Sequence, residues 1–128
     1  MAIINVSFTQ VNTDELCEFV NNTFSPGLYV PGEESVLVAK ASDADKLIGS
    51  SFNLILFTSK RLFLINQKKL NYTAYPYKQL IDYGVSKTGL LSKKFILQFR
   101  DDTITFPKVD EFIQMVSPAI RAYQDADL

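Results

Sequence analysis

Residues 54–66 read LILFTSKRLFLIN, two strongly apolar runs parted by Thr58, Ser59, Lys60 and Arg61. Each run is strand-sized, and two such runs split by a few polar residues predict a β-hairpin. The first run, SFNLILF, is apolar on both faces, the pattern of a strand in a central position. Lys60 and Arg61 fall where the chain must turn toward water, so their stems are expected to cover the end of the fold with the charges solvated.

Strand signals recur at regular spacing on either side of this hairpin. ESVLVAKAS precedes it, and YTAYPY, QLIDYGVS, KFILQFR and TITF follow. Alternation puts Tyr75 and Tyr77 on one face with Thr73, and Ile81, Tyr83 and Val85 on another; Phe95, Leu97, Phe99, Ile104 and Phe106 point inward. Pro76 should hold its strand at an edge or mark a bulge. The total is about seven short strands between residues 35 and 107, which argues for a sandwich or small barrel.

Helical spacing frames the strands. Near the start, 13–24 is predicted as a helix, with Asn12 as cap, Glu15 three residues on, and Leu16, Phe19, Val20 and Phe24 as its apolar face. SPGLYVPGEE then forms a loop. After Pro107, a second helix over 108–126 carries Val109, Phe112, Ile113, Val116, Ile120 and Tyr123 on one stripe, with Asp110 and Glu111 favourable in its first turn. Pro118 predicts a kink near 117 or two short pieces. The stripe must be buried, and the open end of a barrel is the economical place.

At 128 residues the chain is expected to be one domain, long enough to bury a core without staples. Cys17 is the single cysteine, so no internal disulfide is possible; its neighbours Asp14, Glu15 and Glu18 favour a packed rather than a reactive thiol. MAIINVSFTQ lacks the features of a signal peptide, and no apolar run reaches bilayer length, so a cytoplasmic location is the expectation.

The net charge of −1 conceals an uneven distribution: residues 1–45 hold seven acids and one base, residues 46–100 ten bases and one acid, and residues 101–128 six acids and two bases. The basic middle is either a phosphate-seeking surface or neutralised by the two ends.

Several chemistries are disfavoured outright. The absence of histidine removes the commonest general base and most zinc sites. No glycine-rich phosphate loop is present. Glu33-Glu34 and Asp101-Asp102 are adjacent pairs whose side chains diverge on extended chain, so they read as solvated turns rather than catalytic dyads. Asp43 and Asp45 lack the remaining positions of a calcium loop. No enzyme activity, metal or cofactor is expected. The candidate anion-binding residues are Lys60, Arg61, Lys93 and Lys94. Nucleic acid is not an expected partner, because most aromatics take inward positions; Tyr72, Tyr75 and Tyr77 are the exception that could be partly exposed.

The order of seven strands and one closing helix, with LFTSKRLFLINQK and YPYKQLIDYGVSKTGLLSKKFILQF as its internal blocks, resembles bacterial pleckstrin-homology (PH)-like domains. Thr58, Lys60, Arg61, Tyr75, Tyr77, Leu80 and Ile81 carry the resemblance, which covers roughly 33–117. It implies a mainly β, PH-like small barrel of about seven antiparallel strands over 33–107, capped by the helix at 108–126. Residues 1–32 form a helical extension outside it. It also implies a binding module of unknown specific role. Some bacterial PH-like domains are similar single-domain cytosolic proteins that assemble into rings, so a protein partner or a second copy is expected, with an anionic membrane as the alternative. Eukaryotic PH domains that bind phosphoinositides carry a basic pattern in and after the first hairpin; SDADKLIGSS at that place has two acids and one base.

Overall fold

The computed structural model describes residues 2–25, 27–42, 51–86 and 93–126. In chain order the elements are β1 (Ala2–Asn5), β2 (Phe8–Val11), α1 (Asp14–Thr23), β3 (Ser35–Ala41), β4 (Leu54–Thr58), β5 (Arg61–Asn66), β6 (Asn71–Pro76), a 3-10 turn (Tyr77–Gln79), β7 (Leu80–Val85), β8 (Lys94–Phe99), β9 (Asp102–Pro107) and α2 (Asp110–Ala126). The SDADKLIGSS connection and the KTGLLSKK loop lie largely outside the described residues.

All seven strands expected between 35 and 107 are present, but they do not close into a barrel. Joined by β1 and β2, they form a five-stranded sheet, β2-β3-β4-β5-β6, and a four-stranded sheet, β1-β9-β8-β7. One seam falls at Pro76, which cannot donate to a ladder and leads into the 3-10 turn, so β6 ends its sheet and β7 begins the other. The other seam falls at Val6-Ser7, where the chain leaves β1 in one sheet and enters β2 in the other. The first 32 residues are thus more than a helical extension: β1 pairs in parallel with β9 and β2 pairs with β3.

Between the sheets lies the main core. Phe95, Leu97, Phe99, Ile104 and Phe106 point into it, as alternation predicts, together with Ile55, Phe57, Leu62 and Leu64. Tyr75 and Tyr77 also belong to this core, leaving Tyr72 the partly exposed member of the three. α2 closes one end of the sandwich. Its Phe112 packs against Phe8, Phe57 and Phe106 with ring centroids 4.6, 5.5 and 5.3 Å apart. Val116 and Ile120 are buried below it, while Val109 precedes the helix and is exposed. The helix runs on through Pro118 instead of dividing into two pieces; the buried stripe on both sides of the proline holds the two halves in place.

A second core lies on the outer side of the five-stranded sheet. Leu16, Val20 and Phe24, from α1 and the residue after it, cover Val38, Leu54, Leu56, Phe63 and Ile65. This explains the runs that are apolar on both faces in β4 and β5: each face meets its own core. Thr13, not Asn12, caps α1, accepting the Leu16 N–H at 3.3 Å. Asn12 takes a left-handed backbone (φ 52°), and its side-chain oxygen accepts the Val38 N–H instead, tying the helix start to β3.

One strand reads differently from its sequence. A register shift between Leu80 and Asp82 turns Ile81 outward, while Leu80, Tyr83 and Val85 stay in register with Phe99, Leu97 and Phe95. The bulge breaks the simple alternation that put Ile81 with Tyr83 and Val85.

Candidate functional site

The Lys60-Arg61 turn is engaged with the protein itself. Val30-Pro31-Gly32-Glu33 forms a β-turn closed by the Glu33 N–H to the Val30 carbonyl at 3.0 Å. Proline at the second position and glycine with φ +82° at the third are the residues that a type II turn demands. The turn delivers Glu33 beneath the β4–β5 hairpin, where its side chain is fully buried. Arg61 grips it with two parallel bonds, Nη2 to Oε1 at 2.6 Å and Nε to Oε2 at 3.0 Å. The guanidinium also donates to the Leu28 carbonyl at 3.2 Å and lies 4.6 Å from the centre of the Phe63 ring.

Thr58 completes the junction. Its hydroxyl donates to Glu33 Oε2 at 2.6 Å and accepts the Lys60 and Arg61 N–H groups at 3.1 and 2.9 Å. Tyr77 donates to the Thr58 carbonyl at 2.7 Å, and Lys60 Nζ to the Pro31 carbonyl at 3.0 Å. Burial pushes the Glu33 carboxyl up, but the bonds from Arg61, Thr58 and the Val30 N–H, with the guanidinium charge, outweigh it and hold the group below the usual carboxylate range. The bond to Glu33 in turn raises Arg61. Burial raises Tyr77. The Thr-x-Lys-Arg block therefore fastens the 28–34 loop, and through it α1, onto the hairpin.

Glu33 is the residue that sequence reasoning missed, taking it as a solvated turn acid. Its partner lies 28 residues away, and no local pattern marks the pairing. Asp102, likewise expected as a turn residue, accepts the Tyr75 hydroxyl at 2.9 Å and the Ala2 N–H at 3.3 Å, joining three strands.

Lys93 and Lys94 sit elsewhere. The Tyr77 N–H bonds to the Lys60 carbonyl and the Arg100 N–H to the Gln79 carbonyl, so the Lys60-Arg61 turn neighbours the far end of β8. Lys94 opens β8, five residues and about 17 Å from that end. The four candidate cations thus form two separate pairs.

Around Lys93 and Lys94 the outer face of the four-stranded sheet forms a groove of about 470 Å³, which Lys108 also lines. Its floor includes Asn5 and Thr105. The Thr105 hydroxyl donates to Asn5 Oδ1 at 2.5 Å, and Lys94 Nζ reaches the same oxygen at 3.5 Å. Lys108 contacts Asp110 at 3.3 Å, a pair exposed on both sides.

The same sheet ends in strands with one open edge each. Among the described residues β7 pairs only with β8, and β1 only with β9. Ile81 on β7 is 62% exposed and Ile3 on β1 72%. Among the described residues no three Cys, Asp or Glu side chains gather where they could hold a metal ion. No helix among the described residues is long and apolar enough to cross a membrane.

Two sheets packed face to face, closed at one end by a C-terminal helix, make this a PH-like fold. The family model described as "Bacterial PH domain" matches residues 31–118, and the chain belongs to that family. The crystal structure of a DUF1696 family protein with a pleckstrin-homology domain, from Shewanella loihica PV-4, is similar in fold: the TM-score is 0.59 at 18% identity, covering 94% of this chain and 97% of that one. No curated protein matches the chain. PH domains are generally protein- or lipid-binding modules.

Proposed function

We propose that this chain is a non-catalytic cytoplasmic binding module whose partner is a second copy of itself, met along the free edge of β7. The carrying observation is that edge: one ladder is made, the other side pairs with no strand among the described residues, and Ile81 stands out from it 62% exposed, with Val85 36% exposed at its far end. Such an edge is a template for strand addition, in which main-chain bonds give affinity and alternate side chains give register. The rest of the fold suits a rigid frame for this contact. α2 and α1 each bury an apolar face within the chain, and Ile81 and Ile3 on the two open edges are among its exposed apolar residues. Self-pairing of β7 would close a dimer, and pairing of β7 with the β1 edge of the next copy would continue the sheet around a ring.

Light scattering after size-exclusion chromatography tests this reading. The wild-type chain is expected to run as a defined oligomer at low and high salt, and Ile81→Lys as a monomer with an unchanged thermal midpoint. A wild-type monomer at both salts would overturn the proposal.

A further inference from the structure

We infer that the groove lined by Lys93, Lys94 and Lys108 binds a phosphomonoester. This site goes beyond the assembly reading: it lies on the outer face of the four-stranded sheet, at the end where β8 begins and β9 finishes, and does not use the β7 edge.

Three lysines line one open cleft, and no carboxylate is among its described lining residues. Lysine binds phosphate as a mobile point charge, so three stems reaching one cleft suit a compact dianion better than a flat surface. The polar groups at the floor are arranged to help. Asn5 Oδ1 takes the Thr105 hydroxyl and Lys94 Nζ, so its Nδ2 donors remain without a partner among the described residues. Ser7 adds a hydroxyl to the lining. The competing acid is Asp110, whose pair with Lys108 is exposed and therefore weak, so a dianion can displace it. The contrast with Arg61 is direct: that cation is already neutralised by a buried carboxylate, which grips it through two parallel bonds. The volume of about 470 Å³ accommodates a small phosphorylated molecule or the headgroup of a lipid.

Two arms identify the source of the phosphate. In one, the isotope-labelled full chain is titrated with glycerol 3-phosphate and amide shifts are followed. In the other, the chain is sedimented with phosphatidylcholine vesicles with and without phosphatidic acid, at low and high salt. Binding in the first arm, with shifts centred on Asn5, Lys93, Lys94 and Lys108, assigns a soluble ligand. Salt-sensitive binding confined to the second assigns a lipid headgroup. In whichever arm binds, Lys93→Gln/Lys94→Gln is expected to weaken affinity roughly tenfold or more, and Lys60→Gln to leave it unchanged. The double variant should keep the wild-type oligomeric mass, which separates this site from the assembly contact. No binding in either arm, or an equal loss in Lys60→Gln, would overturn the inference.

Discussion

The outer face of the five-stranded sheet and the outer face of the four-stranded sheet have opposite fates. The first lies under α1 and the loop that follows it, with Phe63 fully buried among Phe24, Tyr29 and Tyr72. The second lies open among the described residues: Ile3 is mostly exposed, and Asp82, Ile96 and Gln98 border a surface depression instead of a core. A covered face needs something to hold its cover down. Here that is the Glu33–Arg61 pair, which is buried because the loop it anchors shields it. An open face is free to carry charge, and the three lysines of the groove are found there. The molecule thus uses its two arginine- and lysine-bearing regions differently, one to fasten an element and one facing water.

Substitutions at three positions sharpen this contrast. The largest effect is expected for Phe63→Ala, which opens a cavity beneath α1 and removes the ring under the guanidinium; about 3–5 kcal/mol should be lost in urea unfolding. A loss below about 1 kcal/mol would mean that α1 adds little to the sheet it covers.

Glu33→Ala should cost about 3 kcal/mol, because it strands Arg61 and the Thr58 hydroxyl together. The same carboxylate gives an acid signature. Its folded pKa lies below the ordinary value of 4.5, so its stabilisation is fully present above about pH 4.5 and disappears as pH falls through the folded value. Chemical denaturation across that window should show Glu33→Gln losing less stability on acidification than the wild type. Parallel curves for the two proteins would remove Glu33 from the acid response.

The smallest effect is expected on the open face, where Gln98→Ala should change stability by no more than about 0.5 kcal/mol in the same assay. A larger cost would show that this face is covered in solution, which pairing along the β7 edge does not require.

Local pattern carried much of this fold. KFILQF alternates because one face meets the core and the other water, so β8 was readable residue by residue. LILFT and RLFLI have no polar face, which announced central strands but left open what covered the second side. β1 and β2 escaped notice because AIIN and FTQV are four residues each, and β1 finds its register on a strand about 100 residues away. The bulge in β7 shifted Ile81 outward against its alternation. At the candidate sites, Lys60, Arg61, Lys93 and Lys94 could be marked as cations, but Glu33, which neutralises one of them, and Lys108, which joins two others, came from distant parts of the chain.

What the sequence determined by itself is therefore the set of strands from 35 to 107, their inward faces and the apolar stripe of α2. These follow from side-chain direction, which repeats every two residues on a strand and every 3.6 on a helix. Only the tertiary structure decided that the sheets stay unclosed, that α1 covers one of them, and which cations remain free. Those outcomes depend on how separate segments meet, and a charge reads the same in sequence whether a carboxylate 28 residues away is folded against it or water is.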